Sequence, residues 1–295
     1  MNTPQIFNTE QIVRQRDRAA RSGFAQGGDF LKKLAIERLE DRLSLIKRDF
    51  PHVIDVGAHG GMVAQNLQSH PKIGTILSLD PSAVFTQQAR AFGPSETMDV
   101  ELMPNAIAAP FDQVDGIVSL LYLHQVNDVP GLMTQMARQL KPDGLFFAIL
   151  FGGRTLQELR ACISAAEEEL TGGIGPHVAP MADIRDIGGL MQRAGLAMPV
   201  ADSELLTLTY SSIFPLMADL RAMGEGNCLI GRRAGFSRRD LFLRTAEIYQ
   251  ERYAMPDGRI PASFELIHVT GWSPDKSQPQ PLKPGSATTP ITDVF

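Results

Sequence analysis

The stretch that decides the fold is Val53-Ile54-Asp55-Val56-Gly57-Ala58-His59-Gly60-Gly61, an apolar segment that runs into a glycine-rich turn. Further along, Leu77-Ser78-Leu79-Asp80 is a second apolar segment, and it ends in a carboxylate. Glycines allow a ligand to approach the backbone closely. An acid at the end of the next strand accepts hydrogen bonds from ribose hydroxyls. Together the two segments predict a nucleotide-type pocket.

The spacing of the glycines separates two kinds of ligand. A dinucleotide-binding turn has its second glycine two residues after the first, to make room for a pyrophosphate. Here His59 holds that position. The pattern Val-Ile-Asp-Val-Gly-x-x-x-Gly instead resembles the turn of class I S-adenosylmethionine (SAM) methyltransferases, whose ligand carries no pyrophosphate. The resemblance implies SAM as the cofactor and argues against NAD.

Composition excludes several classes of protein. The 295 residues are 43% hydrophobic and 21% charged, which is enough apolar material for a full core. The net charge of -5 argues against a general nucleic-acid binder. Two cysteines, Cys162 and Cys228, make neither a disulfide framework nor a zinc site. Because there is no apolar run of membrane-spanning length and no secretory signal, we expect a cytoplasmic protein with at most peripheral membrane association.

Apolar strands alternate with helical patterns through the first half of the chain. Strands are predicted at 53–57, 75–80, 98–103, 115–121 and 145–151, and later at 199–208 and 263–271. Nearly continuous apolar strands joined by helices indicate a parallel sheet that is covered on both faces. The alternation predicts an α/β fold, and the resemblance to class I SAM methyltransferases implies that it is the Rossmann-like class I methyltransferase fold. Its mostly parallel seven-stranded sheet carries helices on both faces, with one antiparallel strand, the last.

Three regions of the chain are expected to differ in character. Residues 1–50 form an N-terminal helical segment, and residues 51–272 form the SAM-binding domain, with helical or lid insertions after residue 151. Residues 273–295 are a proline-rich extended tail, because five prolines with polar spacers cannot build a core.

Arginines are concentrated in the first of these regions. Residues 11–21 hold Arg14, Arg16, Arg18 and Arg21 against Asp17 alone. The simplest interpretation is a solvated helix face. The functional alternative is a docking arm for a protein partner or an anionic membrane surface.

Ligands of an open parallel sheet bind at the carboxyl ends of its strands. We expect Asp80 to bind the ribose hydroxyls. Asp55 either organises the turn or lies near the methionine amino group. Asn105 offers an amide oxygen to the adenine amine. The predicted cofactor-binding residues are Asp55, Gly57, Ala58, Gly60, Asp80, Pro81, Asn105 and Ala106.

Candidate catalytic residues follow the fourth strand. His124 has the pKa range of a general base, and Tyr122 points to the same side if the strand continues. The alternatives are a hydrogen-bonded framework histidine and a tyrosine used for packing. His59 is expected to be a solvated loop imidazole. The histidine spacing predicts no metal site.

Motifs outside the glycine turn narrow the resemblance. They are Leu121–Asp128, Phe151–Arg160, Pro180–Asp186, Leu220–Gly224 and Thr270–Pro274. They resemble the bacterial branch of the methyltransferase-like family that includes a mitochondrial assembly factor of respiratory complex I. More distantly, they are similar to malonyl-carrier-protein O-methyltransferases. The resemblance covers nearly the whole chain and implies a protein acceptor, for which a subunit of complex I is a candidate. The acidic net charge predicts no nucleic-acid partner.

Three functions stay open at this point. The first is a SAM-dependent methyltransferase that acts on a protein during complex I assembly. The second is a SAM-binding protein-arginine hydroxylase or a non-catalytic assembly factor. The third is a malonyl-carrier-protein-type O-methyltransferase. The first is preferred because the fold supports it directly. Methyl transfer needs mainly alignment of donor and acceptor, which suits a site with no obvious nucleophile.

Overall fold

The computed structural model describes residues 5–22, 24, 27–99, 113–233, 235 and 238–279. Helices and strands alternate along the chain as predicted, with further helices after the fifth strand. In chain order they are α1 (Thr9–Ser22), α2 (Phe30–Leu45), β1 (Phe50–Val56), α3 (Met62–Leu67), β2 (Ile73–Asp80), α4 (Ala83–Ala89), β3 (Ser95–Thr97), β4 (Val114–Leu120), α5 (Val129–Gln139), β5 (Leu140–Phe151), α6 (Gln157–Thr171), α7 (Ile184–Arg193), β6 (Ala197–Tyr210), α8 (Ile213–Met223), α9 (Arg239–Tyr253) and β7 (Ile260–Trp272).

The strands form a single seven-stranded sheet in the order β3-β2-β1-β4-β5-β7-β6. Strands β1 to β5 pair in parallel, whereas β7 runs antiparallel to both β5 and β6. The predicted fold, including the antiparallel last strand, is confirmed. The chain order reverses between β1 and β4, and such a switch point opens a crevice at the carboxyl edge of the sheet.

Helices cover both faces of the sheet, as the continuous apolar strands predicted. Alternate side chains of β5 enter opposite cores: Phe147 and Ile149 join one cluster, and Phe146 and Ala148 join the other. Helices α2, α3, α4, α6, α8 and α9 contribute side chains to the first cluster, α5 and α7 contribute to the second, and α1 contributes to both. Burial on both faces fixes the central strands rigidly, so the loops at their carboxyl ends have a firm base.

The third strand lies earlier than predicted. It spans Ser95–Thr97 rather than 98–103, and its last pair joins Thr97 to Asp80, where β2 also ends. One more bond, from the Met98 amide to the Asp80 carbonyl at 3.1 Å, closes the ladder. The predicted start of this strand is wrong, because its pairing follows β2 and reaches the end of that strand at Asp80. Residues 100–103 lie outside the described residues.

The start of the proline-rich tail is hydrogen-bonded to the first part of β5. Backbone bonds join Ser273 to Gly144 and Asp143, and the Gln278 amide donates to Asp143 Oδ1 at 3.0 Å. Residues 280–295 lie outside the described residues, and the division into three regions stays a prediction. Among the described helices, none has the length and apolar character needed to cross a membrane.

Candidate functional site

The glycine turn after β1 has a backbone that only glycine adopts easily. Gly57, Gly60 and Gly61 have φ angles of 79°, 75° and 79°. The amides of Gly57 and Ala58 donate to the Leu79 carbonyl at 2.8 and 3.0 Å. These bonds hold the turn against the end of β2, so the predicted glycines and the acid of the second strand share one edge.

Asp80 closes β2 and is 1% exposed. Two backbone amides bind its carboxylate, that of His59 at Oδ2 (2.9 Å) and that of Ser82 at Oδ1 (2.9 Å). Arg16 of α1 supplies two further donors, Nε to Oδ1 at 3.1 Å and Nη2 to Oδ2 at 2.5 Å. Asp80, the acid predicted to bind the ribose, is thus bound by Arg16, which lies 64 positions away in the sequence.

The N-terminal arginines therefore differ in role. Arg14, Arg18 and Arg21 are exposed, as a solvated helix face requires. Arg16 is 1% exposed and lies within 6 Å of the centres of the Phe85 and Tyr122 rings, so the solvated-face interpretation is wrong for it. A buried charge needs a partner, and Asp80 is the partner.

His59 is buried, against the expectation of a solvated loop imidazole. Its ring stacks on Phe24 with 5.1 Å between centroids. Its Nδ1 lies 2.8 Å from the Gly57 carbonyl, and its Nε2 lies 2.9 Å from Arg16 Nη1. Because a carbonyl only accepts, Nδ1 carries the proton and Nε2 accepts from Arg16. Burial and the adjacent Arg16 charge lower the pKa of His59 well below its usual range, so the ring is neutral.

Asp55 and Lys32 are an ionisable pair beneath the glycine turn. Neither carboxylate oxygen of Asp55 has a hydrogen-bond partner among the described residues. Burial raises the pKa of Asp55 to about 6, and the Lys32 charge opposes the rise. Lys32 Nζ donates to the carbonyls of Leu120 (2.8 Å) and Gly57 (3.2 Å). Burial lowers the pKa of Lys32 to about 8.

Sequence reasoning missed Lys32, although a signal was present. Lys32 lies four residues before Ile36 and seven before Leu39, on the face of α2 that is buried. A lysine at a core position of an amphipathic helix indicates a buried cation with a specific partner.

The residues at this edge fit SAM in two respects. The three glycines of the turn have no side chains of their own to cover its backbone, and Asp55 offers an unpartnered carboxylate to an ammonium group. Ala58 and Pro81 are buried beside them. Asn105 and Ala106 lie outside the described residues. The assignment of these residues to the cofactor stays a prediction.

Tyr122 and His124 do not lie on one side of a continued strand. β4 ends at Leu120, and Leu121 has a φ of 54°, which turns the chain into a short 3-10 helix at Leu123–Gln125. Tyr122 packs on Gly57, whereas His124 lines a separate cavity. The premise of a continuing strand is wrong, because the left-handed residue redirects the backbone. The catalytic roles stay predictions.

The cavity beside His124 has a volume of about 250 Å³. Apolar side chains from β5, α6, α8, α9 and β7 form most of its wall, among them Phe151, Leu159, Met217, Phe242 and Phe264. Such a wall accommodates an aliphatic or aromatic group.

The polar end of the cavity consists of His124, Gln125 and Glu225. Glu225 Oε2 accepts from Gln125 Nε2 at 2.6 Å and from His124 Nε2 at 3.1 Å. Since a carboxylate oxygen accepts, His124 Nε2 carries a proton. Its Nδ1 has no partner among the residues that the structure describes. The framework and catalytic interpretations of His124 are thus compatible: Glu225 orients the ring, and Nδ1 is not used by that contact.

The described part of the chain contains no group of three or more His, Cys, Asp or Glu side chains that could hold a metal ion.

Comparisons with known sequences relate this chain to methyltransferase-domain proteins. Residues 29–199 match a family model described as a methyltransferase domain. The mitochondrial arginine-hydroxylase NDUFAF5 of Rattus norvegicus is 36% identical over 291 residues, which cover 98% of this chain and 83% of the relative. The malonyl-[acyl-carrier protein] O-methyltransferase of Xylella fastidiosa (strain M23) is 32% identical over 276 residues, with 91% and 89% covered.

Solved structures show the same fold. The YcgJ protein of Bacillus subtilis superposes with a TM-score of 0.56 at 14% identity, covering 81% of this chain and 98% of its own. Phosphoethanolamine N-methyltransferase 2 of Haemonchus contortus, in complex with phosphomonomethylethanolamine and S-adenosylhomocysteine, gives 0.50 at 14% identity, covering 88% and 60%. Glycine turn, sheet order and relatives agree, and the chain belongs to the SAM-binding methyltransferase-domain family with the class I fold.

Proposed function

We propose that this protein uses SAM to modify a side chain of a protein acceptor during assembly of respiratory complex I, with methyl transfer as the reaction. The observation that carries the proposal is a shared wall. Phe151 and Glu225 line the 250 Å³ cavity and also a small space next to Lys32 and His59. A group held in the cavity therefore lies next to the edge where the cofactor is expected.

The chain's own residues have a limited chemical task. Bound SAM supplies an activated methyl group. The apolar wall excludes water and holds the acceptor in line, which is the larger part of the catalysis for such a donor. An acceptor that loses a proton on methylation needs a base nearby. The Nδ1 lone pair of His124 suits that role, because Glu225 fixes the proton on the opposite nitrogen.

The charge in the cavity favours an acceptor that carries hydrogen-bond donors. Glu225 is the acid at the polar end, and the arginine that lines the cavity, Arg221, is exposed. An amine or guanidinium on an aliphatic stem satisfies both the carboxylate and the apolar wall. A free malonyl carboxylate would meet a like charge in Glu225. This contrast supports a protein side chain over a malonyl carrier protein.

Hydroxylation of an arginine is the second candidate. It is supported by a relative named arginine-hydroxylase that is 36% identical over 98% of this chain. Because Glu225 accepts hydrogen bonds, the cavity suits a guanidinium whether the reaction is methylation or hydroxylation. A non-catalytic assembly factor is the third form of the same proposal, and fold alone does not exclude it.

One experiment separates these functions. The tagged protein and its Gly57→Arg variant are expressed in knockout cells, and captured partners are digested for mass spectrometry. A methyl mass gain on a complex I subunit, restored by the wild type alone, supports the proposal. A gain of one oxygen indicates the hydroxylase, and no modification indicates the assembly factor. Biotin auxotrophy with normal respiration, together with methylation of a malonyl carrier protein, would indicate the O-methyltransferase.

A further inference from the structure

The Asp80 carboxylate has no acceptor position left for a ligand. A carboxylate offers about four lone-pair sites. The amides of His59 and Ser82 take one site on each oxygen, and Arg16 takes the other two. The two amides belong to the turns that follow β1 and β2, and both turns are part of the sheet edge. The two Arg16 donors come from a separate helix, α1. Arg16 can therefore move away from Asp80, whereas the two amides cannot.

Arg16 imitates the donors that a ribose would bring. Its Nε and Nη2 atoms point at the two carboxylate oxygens side by side, as the two neighbouring hydroxyls of a ribose do. The guanidinium also lies near the rings of Phe85 and Tyr122, at 5.6 and 5.3 Å from their centroids. The predicted ribose position is therefore filled by the chain itself.

We propose that α1 is a latch on the cofactor site: Arg16 occupies the ribose position on Asp80, and SAM binds only when Arg16 withdraws. The inference rests on the proposed assignment of Asp80 to the cofactor. It adds a competition between a residue of the chain and the ligand, which the assignment alone does not contain. The apparent affinity for the cofactor is then the intrinsic affinity multiplied by the fraction of molecules in which the latch is open.

Helix α1 contacts not only Asp80 but also a loop of the 250 Å³ cavity beside His124. Gln15 Nε2 donates to the Asn227 carbonyl at 3.2 Å, and Ala19 packs against Gly224. Gly224 and Asn227 lie on either side of Glu225 in the sequence, and Glu225 is the acid at the polar end of the cavity. Withdrawal of α1 releases this loop together with Asp80. Loading of the cofactor and access to the cavity are thus coupled through one helix.

The polar contacts of α1 also indicate how it opens. Ser82 Oγ donates to Asp17 Oδ1 at 2.5 Å, and Gln88 Nε2 donates to the Ala20 carbonyl at 2.9 Å. Both bonds lie toward the carboxyl half of the helix. At the other end, the Asn127 side chain accepts from the Ile6 and Phe7 amides at 2.8 and 2.7 Å. An opening that keeps the Asn127 anchor and breaks the bonds to Ser82 and Gln88 frees Arg16.

The first test compares Arg16→Met with Arg18→Met, an exposed arginine on the same helix, by calorimetry with S-adenosylhomocysteine. The Met side chain keeps length but has no donors. Arg16→Met should bind about tenfold tighter and associate faster, because the competitor is gone. Arg18→Met should match the wild type. Weaker binding by Arg16→Met would overturn the latch, since Arg16 would then be holding the ligand rather than excluding it.

The second test uses the wild-type full chain, so it does not depend on the folding of a variant. Amide hydrogen exchange is followed with and without S-adenosylhomocysteine. The latch predicts faster exchange in residues 9–22 on binding, together with protection of the glycine turn. Protection of both regions would mean that α1 closes over the ligand, which contradicts the latch.

The double variant Arg16→Met/Asp80→Ala, compared with Arg16→Met alone, distinguishes failure of the latch from failure of the site, because Arg16 is absent from both. If the two bind S-adenosylhomocysteine equally well, the cofactor assignment is wrong and the latch falls with it. If binding needs Asp80 but Arg16→Met binds less tightly, the site stands and the latch alone is rejected.

Discussion

The ring of Tyr122 lies directly against Gly57, so that a Cβ on residue 57 would come closer than 3.0 Å to three atoms of the tyrosine side chain. The contact joins the end of β4 to the turn after β1, the two strands that flank the switch point of the sheet. It is made possible by the left-handed residue Leu121, which ends the strand and brings Tyr122 back over the turn. Gly57 is thus required by its neighbour as well as by its own φ of 79°.

Substitution of Gly57 by alanine should destabilise the fold and weaken binding of S-adenosylhomocysteine. The loss of stability should be about 3 kcal/mol, the sum of backbone strain and a clash with Tyr122. Gly258 is a matched control, since it has the same φ of 79° but no atom within 4 Å of the position that a Cβ would take. Gly258→Ala should lose only about 1 kcal/mol from strain. If urea denaturation gave the same loss of stability for Gly57→Ala and Gly258→Ala, the Tyr122 ring would have to move aside at little cost.

Asp80 and Arg16 should behave as a coupled pair in a double-mutant cycle. Asp80→Asn leaves the Arg16 charge buried without its partner and should lower the free energy of unfolding by about 3–5 kcal/mol. Arg16→Met in the same chain removes that charge and should recover a large part of the loss. The single and double variants are compared by urea denaturation. Additive losses would mean that the pair is not coupled in solution.

Asp55 should give the apo protein a stability that falls with rising pH. Its pKa is raised by burial from 3.8 to about 6, so the folded state binds the proton more tightly than the unfolded state. The resulting stabilisation is complete below the unfolded pKa and is lost as pH rises through about 6. Urea midpoints between these two pH values should show the slope in the wild type and lack it in Asp55→Asn.

Ligand binding should depend on pH with the opposite sign. The ammonium of S-adenosylhomocysteine needs an ionised Asp55, so affinity should increase as pH passes upward through about 6. Asp55→Asn should bind more weakly and without that dependence. An affinity in the wild type that falls over the same range would rule out Asp55 as the partner of the ammonium.

Lys32 is expected to recognise the amino-acid end of the cofactor. Its ammonium is buried at the switch point, with carbonyls of Gly57 and Leu120 as its protein partners. Lys32→Met should weaken binding of S-adenosylhomocysteine about tenfold, the value of one charge-assisted bond, and leave 5′-methylthioadenosine, which has no amino-acid part, nearly unaffected. The neighbour Lys33, whose side chain is 60% exposed, supplies the control Lys33→Met. Equal losses for both ligands would assign Lys32 to the framework instead.

The sequence predicts those parts of this molecule that depend on local pattern. The apolar runs of β1, β2 and β4 are each buried over most of their length, so their composition alone identifies central parallel strands. The glycine turn is equally local, because its positive φ angles favour glycine. The short β3 was misplaced, since three residues carry little pattern and its position is set by the end of β2.

The contacts that close the site could not be predicted in this way. Arg16 and Asp80 are 64 residues apart, and an arginine in a basic helix has no mark that distinguishes it from Arg14 or Arg18. Only packing of α1 against α4 and α8 places it on Asp80. Likewise, Glu225 lies 101 residues from His124, and the bond between them follows from the position of the loop after α8.

The exposed arginines of α1 are expected to capture the protein partner, independently of the cofactor. Arg14, Arg18 and Arg21 face solvent, whereas Arg16 is held by Asp80. Deletion of the helix would confuse the two roles, because it removes the latch as well as the surface. Replacement of the three exposed arginines by glutamate reverses their charge and keeps Arg16. This variant should bind S-adenosylhomocysteine like the wild type, yet lose partner capture and respiratory growth in knockout cells. Full partner capture by the charge-reversed protein would place the docking surface elsewhere, and a loss of ligand binding would show that the two faces of α1 are not separable.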